Sequence, residues 1–309
     1  MERVNELPVL ISGASGFLGN CLVKRLLIED YSVVAVDRRP GIDWNGLKQR
    51  YSKKFSSIIL DLDQPIENNV FDGQEYLTVF HLASYVPSFK NIPSISEMEL
   101  THRGVLIPTI NLLNAIRGRT KYFLLSSSVS VYGHTQSGTF DETQPCDPTD
   151  MYGVFKLACE GVCKCFSLRE RMDLTILRFA QLYGTGEPHG IFLQRVFLPQ
   201  AQKNGKIELV RGGRDQKDLL WIDDAVQAMI DVTKKRITGV YNISSGQGVS
   251  IMEIAKILKT INRNQLDIEI NDDGSTSLSQ IYDHTLATKK FAFQPMISIF
   301  EGLTKLCQP

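Results

Sequence analysis

The sequence lacks net charge, long apolar runs and paired cysteines, and each absence narrows what the chain is. Lys plus Arg and Asp plus Glu both number 34 among 309 residues, so the formal net charge is zero. Proteins that hold a nucleic-acid backbone carry a basic excess, so no nucleic acid is expected as a partner. No apolar run approaches the roughly 20 residues that a membrane helix requires, so no membrane is expected either. The first residues, Met1-Glu2-Arg3-Val4-Asn5-Glu6-Leu7-Pro8, have neither the basic head nor the unbroken apolar core of a signal peptide. Cys21, Cys146, Cys159, Cys163, Cys165 and Cys307 form no CxxC pair. That suits reduced thiols in the cytoplasm rather than a disulfide framework. What remains is a globular composition, 43% apolar and 22% charged, in a length that suits one large domain or two modest ones.

Over the first 130 residues, short β-branched or apolar runs alternate with longer helical patterns. Residues 9–11, 32–36, 57–60, 77–82 and 122–125 read as strands, and residues 17–29 and 97–117 as helical. Strands that are apolar throughout, separated by amphipathic helices, are what a parallel sheet covered on both faces requires. The order predicts a doubly wound α/β fold, a parallel sheet of the Rossmann type, with a smaller C-terminal lobe. The expected domains are 1–180 and 181–309, with some elements of the second returning to the main sheet. Residues 223–234 and 250–262 read as helices, and 239–243 as a candidate further strand of that sheet.

Gly13-Ala14-Ser15-Gly16-Phe17-Leu18-Gly19 follows the first strand directly and opens the first helix. A dinucleotide pyrophosphate needs backbone N–H groups at a helix N-terminus, and glycines let the phosphate approach. The spacing differs from the G-x-G-x-x-G of most dehydrogenases. Its place between strand and helix, with Asp37 ending the second strand 24 residues after Gly13, nevertheless marks a dinucleotide site. Asp37 is placed to bind the adenosine ribose hydroxyls and to repel a 2′-phosphate, which favours NAD. Arg38 and Arg39 follow and are able to attract that phosphate instead.

Tyr152-Gly153-Val154-Phe155-Lys156 puts a phenol and an ammonium one turn apart on one helix face. Such a pair alone is common by chance. Ser126-Ser127-Ser128-Val129-Ser130-Val131-Tyr132-Gly133 gives it context, because it closes a buried strand and sets Ser128 24 residues before Tyr152. Ligands bind at the carboxyl ends of strands in such sheets.

With these motifs the chain resembles the extended short-chain dehydrogenase/reductases, in particular the NAD-dependent nucleotide-sugar epimerases and dehydratases of the UDP-sugar 4-epimerase type. Asp61-Leu62, His81-Leu82-Ala83, Leu177-Arg178-Phe179-Ala180-Gln181-Leu182-Tyr183-Gly184, Asp218-Leu219-Leu220-Trp221-Ile222-Asp223-Asp224 and Gly239-Val240-Tyr241-Asn242-Ile243 fit in family order. The resemblance implies that Tyr152 is the acid/base at a sugar oxygen and that Ser128 hydrogen-bonds the reacting oxygen. Lys156 would bind the nicotinamide ribose, its charge favouring the phenolate. It also implies that NAD is held by Gly13, Ser15, Gly16, Phe17, Leu18, Asp37 and Arg38, with Asp61, Leu62, Leu82, Ala83 and Ser84 along the adenosine half. Tyr152, Lys156 and Phe179 would hold the nicotinamide half. Ser128, Gln181, His189, Arg211 and Lys217 are the expected substrate contacts.

Departures from the family narrow the chemistry. The 4,6-dehydratases carry Asp-Glu directly after the catalytic hydroxyl, and here those positions are Val129 and Ser130, which donate no proton near neutral pH. Gln181 replaces the usual Asn of the Arg-x-x-Asn-x-Tyr-Gly motif, and Thr101 stands where an Asn is common. Lys217 replaces an Arg that binds the nucleotide diphosphate, so Arg211 or Arg214 is expected to share that task. Redox at one carbon remains: 4-epimerisation of a nucleotide sugar, with reduction of a 4-keto sugar or other carbonyl as the alternative and a non-catalytic dinucleotide sensor as the remote one. Cys159, Cys163 and Cys165 read as helix packing rather than metal ligands, and His81 as structural. Apolar residues recur on more than one face of the helices at 105–116 and 154–166, so a homodimer through them is expected.

Overall fold

The computed structural model describes residues 7–67, 69–86, 94–186, 205–263 and 265–307. The chain opens with β1 (Val9–Ser12), α1 (Phe17–Ile28), β2 (Val33–Asp37), α2 (Trp44–Arg50), β3 (Phe55–Ile59) and β4 (Thr78–His81). Then come α3 (Ile95–Thr101), a π-helical turn at His102–Leu106, α4 (Ile107–Ala115) and β5 (Tyr122–Ser128). After the short β6 (Gly138–Phe140) follow α5 (Met151–Glu170) and β7 (Asp173–Phe179). The seven-stranded main sheet runs β11-β7-β5-β4-β1-β2-β3, with β11 at Gly239–Ile243. The pairs β1–β2, β2–β3, β1–β4 and β4–β5 are parallel. All four residues of β1 and of β4 are buried, as parallel strands covered on both faces must be. Strand order reverses beside β1, so the carboxyl ends of β1 and β4 flank the switch point where such sheets bind ligands.

Two compact units divide the chain: Met1–Gly133, Pro145–Arg178 and Met229–Tyr241 form the first, and His134–Gln144, Phe179–Ala228 and Asn242–Pro309 the second. In the first, α1 buries Leu22, Val23, Leu26 and Leu27 at helical spacing. Asp150 caps α5 by accepting from Gly153 N at 2.8 Å, worth about 1 kcal/mol. The helical region expected at 97–117 is interrupted by the π turn, which no sequence pattern announced. In the second unit, Ser250 and Glu253 form a reciprocal capping box that starts the helix Ile251–Ile261. A three-stranded sheet there joins β8 (Gln181–Tyr183), β10 (Gln216–Trp221) and β12 (Gly248–Ser250). Among the described helices none is long and apolar enough to cross a membrane.

His81 closes β4 inside the core, 2% exposed. Its Nδ1 lies 2.6 Å from Ser12 Oγ and its Nε2 2.9 Å from Thr109 Oγ1. Thr109 donates to Val105 O, so it takes its proton from Nε2–H and leaves Nδ1 to accept from Ser12: a neutral ring satisfied on both sides. Burial, helped by the charge of Lys156, pushes its pKa down to about 3. The unfolded chain protonates His81 below about pH 6.5 and the folded chain does not until about 3, so its contribution is full above 6.5 and is lost as pH falls. At pH 5 the loss is about 2 kcal/mol. Asp218, pushed up to about 6 by burial against its hydrogen bonds to Ser245, Tyr282 and Gly246, works in the opposite direction between its two pKa values. Urea midpoints at pH 7.5 and 5.0 are therefore compared between the parent and His81→Asn. The variant is expected to be less stable at pH 7.5 but to lose less on acidification, and equal losses would exclude His81 as the source.

Candidate active site

The glycine loop is built by close approach. Gly13 has φ +71°, and a Cβ there would lie 2.5 Å from Ala83 N; a Cβ on Gly19 would lie 2.1 Å from Gly13 O. Gly16 is the N-cap of α1 and offers no side chain to its first N–H groups, which leaves them to an anion. Asp37 at the end of β2 accepts from Ser15 N at 3.0 Å and from Arg39 N at 3.4 Å. It thus props the loop besides facing the space beyond it.

A cavity of about 430 Å³ opens over the carboxyl ends of β1, β2 and β4. Of the expected cofactor residues, Gly13, Ser15, Gly16, Asp37, Arg38, Asp61, Leu62, Leu82, Ala83 and Ser84 all line it. Phe17 and Leu18 begin α1 and do not line it, nor do Tyr152, Lys156 and Phe179. Arg39, Asp63, Tyr85 and Arg103 line it as well. Asp63 was within reach of sequence reasoning, two residues past Asp61; Arg103 carries no such signal, because only a π turn brings it to the wall.

The second cluster joins β5 to α5. A Cβ on Gly153 would lie 2.4 Å from Ser130 O, so the α5 turn bearing Tyr152 sits directly on the turn after Ser128. Ser128 Oγ accepts from Ser130 N and donates to Ser130 Oγ, both at 3.1 Å. Lys156, 3% exposed, donates to Ser126 O at 2.8 Å, and its Nζ lies 5.5 Å from the centroid of the Tyr152 ring. Beneath them, Glu160 accepts from Ser127 Oγ at 2.7 Å and from Arg178 Nε and Nη2 at 2.9 and 2.8 Å. Arg178 also donates to Tyr132 Oη at 3.0 Å. Burial alone would lower the pKa of that guanidinium, but the hydrogen bonds and charge of Glu160 outweigh it and hold the pKa above its ordinary value.

In the second unit, Gln181 begins β8 and Phe179 ends β7. Arg211 pairs with Asp215 at 2.9 Å, and Arg214 pairs with Asp272 and donates to Ser275 O. The Lys217 side chain on β10 has no hydrogen bond or ion pair among the described residues, and burial lowers its pKa, with Asp215 raising it and Arg211 lowering it. Of these three cations, Lys217 is the one without a close ion pair among the described residues. Thr101 donates to Glu97 O within its own helix. His189 lies outside the described residues.

The model of the NAD dependent epimerase/dehydratase family matches residues 9–244. The chain belongs to that family. A UDP-glucose 4-epimerase of Mycolicibacterium smegmatis is 26% identical over 97% of both chains. The GDP-mannose 3,5-epimerase 1 of Oryza sativa subsp. japonica is 25% identical over 96% of this chain and 80% of its own. Among solved structures, MoeE5 in complex with UDP-glucose and NAD superposes with a TM-score of 0.80 at 27% identity, over 96% of each chain.

The family's cofactor fits what the cavity offers. The uncapped start of α1 and the glycine cradle suit a pyrophosphate, the Asp37 carboxylate suits ribose hydroxyls, and Ser84 Oγ is buried at the wall without a hydrogen-bond partner among the described residues. Asp37→Ala is expected to relax the preference of this family enzyme for NAD over NADP by about tenfold, because a carboxylate facing a 2′-phosphate is repulsive. Titration of each dinucleotide checks it, and a parent that already prefers NADP would shift the role to Arg38 and Arg39.

Proposed function

We propose that the protein is a 4-epimerase of a nucleoside-diphosphate sugar, a UDP-sugar first of all. The observation that carries this reading is the pairing of Tyr152 and Lys156 against the turn after Ser128, with Val129 and Ser130, and no carboxylate, in that turn. Tyr152 holds or takes the proton of the sugar O4. Ser128 hydrogen-bonds the same oxygen, and Lys156, anchored on Ser126 O, keeps a positive charge beside the phenol. NAD, held in the first unit by the glycine loop and Asp37, supplies reversible oxidation at C4 when bound. The charges of Lys217 and Arg211 suit a diphosphate, and Gln181 offers an amide. The sugar epimerases among the relatives support this reading.

The test is proton NMR of the purified protein with UDP-glucose, UDP-glucuronate, UDP-N-acetylglucosamine and GDP-mannose in D₂O. Interconversion of 4-epimers without deuterium uptake and without net change in reduced-cofactor absorbance is expected. Net consumption of reduced cofactor on addition of a 4-keto nucleotide sugar, with no epimer formed from the saturated sugars, would make it a reductase. Deuterium entering the ring would mean enolisation beside the ketone and a different epimerase chemistry. Turnover of no sugar with dinucleotide bound would favour a sensor.

We further infer a cytoplasmic C2 homodimer. Its six cysteines are all free, which suits a reducing compartment. Val154 is exposed, and Leu106, Ile107, Ile110, Leu157 and Val162 are only partly buried on α4, α5 and the turn before α4. A single apolar stripe covers a sheet, and the surplus fits a self-complementary partner. Sedimentation equilibrium is expected to give about twice 34.7 kDa; a monomer mass independent of concentration would return the surplus to packing within one chain.

A further inference from the structure

One part of the cavity rim is needed by neither the glycine loop nor Asp37 nor the Tyr152 cluster. Asp63, after β3, and Arg103, in the π turn, both line the cavity and pair in a two-pronged fork. Arg103 Nη2 lies 2.8 Å from Asp63 Oδ2, and Nε donates to Oδ1 at 3.2 Å. A half-exposed ion pair contributes little to folding stability, yet this one is braced from both sides. Asn111 Nδ2 donates to Leu62 O at 2.9 Å and to Gln64 O at 3.0 Å, pinning the chain on either side of Asp63. On the other side Gly104 O, whose i+4 residue is Pro108 with no N–H, accepts from Tyr85 N at 2.8 Å. A Cβ on Gly104 would lie 2.4 Å from Tyr85 Cβ, so only glycine permits that approach. π turns are rare and concentrate at functional sites.

We propose that the Arg103–Asp63 pair is a latch over the adenine end of the cavity that slows the exit of the bound dinucleotide. The inference rests on NAD being the cofactor. The glycine loop and Asp37 account for pyrophosphate and ribose. The remaining wall includes Leu60, Leu62, Leu100 and Pro108, an apolar surface that suits a purine. A planar guanidinium stacks on a π face, and a carboxylate gripping it through Nε and Nη2 keeps it in one orientation. An enzyme that regenerates its cofactor in every cycle gains from slow exit, which gives the brace a use.

Full-length protein loaded with radiolabelled NAD and chased with excess unlabelled NAD reads the exit rate directly. Arg103→Ala and Asp63→Asn are each expected to raise it about tenfold, equivalent to about 1.4 kcal/mol. The double variant should be no faster than either single one, because both act through one pair. ADP affinity should fall by the same factor, and nicotinamide mononucleotide affinity should not change. An exit rate in Arg103→Ala within twofold of the parent, or a hundredfold rise in the double variant, would overturn the latch. An effect confined to NADP would also overturn it and make Arg103 a reader of a 2′-phosphate. A parent that takes up no NAD would overturn the cofactor assignment itself and the latch with it.

Discussion

Tyr152→Phe is expected to lower turnover by a factor of about 10² or more while NAD stays bound. The phenol is the proton-carrying group left free at this cluster. Ser128 Oγ donates to Ser130 Oγ and accepts from Ser130 N, so its proton reaches a substrate oxygen only by turning away from Ser130 Oγ, and the Lys156 ammonium donates to Ser126 O. Among the described residues no hydrogen bond engages the Tyr152 hydroxyl, so it is available to a substrate oxygen. Phenylalanine keeps the ring and its packing beside Lys156 and removes only the oxygen, so folding and cofactor content should be unchanged. Turnover is read by NMR of the equilibrating epimers, and NAD by mass spectrometry of ligand released on denaturation. Near-parental turnover would move the acid/base role to another residue; loss of NAD would make Tyr152 a cofactor contact first.

Glu160→Gln should be the most damaging single change to stability. Glu160 is fully buried and Arg178 is 4% exposed, and the fork between them is the main compensation for two desolvated charges, with Ser127, Lys164 and Tyr132 adding to it. Removing one charge leaves the other uncompensated in the core, at a cost of about 3–5 kcal/mol. Ser127 Oγ loses a charged acceptor as well. The double change Glu160→Gln with Arg178→Met removes both charges and is expected to recover most of that loss. Urea midpoints of the three proteins decide it. A single variant within about 1 kcal/mol of the parent would mean that water reaches the pair and solvates it.

Much of the candidate site is legible in the sequence. Glycines at 13, 16 and 19 between an apolar strand and a helix require a tight turn that opens the helix, and Asp37 closes the next strand beside it. Tyr152 and Lys156 at i and i+4 share a face whatever the helix packs against. What was not readable depends on distant partners. Arg178 stands in a family motif, but nothing in the sequence pairs it with Glu160, and only the packing of α5 on β5 and β7 buries them together. The sequence motif singles out Lys217 but not its pairing; Asp215 and Asp272, placed by the second unit's own fold, engage Arg211 and Arg214 and leave Lys217 without a close ion pair among the described residues.

The α/β class, the glycine turn between β1 and α1 and the shared face of Tyr152 and Lys156 follow from the sequence, because periodicity and local spacing act within one turn of helix or one strand. The tertiary structure alone decided the sheet order that puts β1 beside β4, the π turn that carries Arg103 to the cavity, and the neutrality of His81. Each of these follows from contacts between segments tens of residues apart, where burial and pairing, rather than local propensity, set the energy.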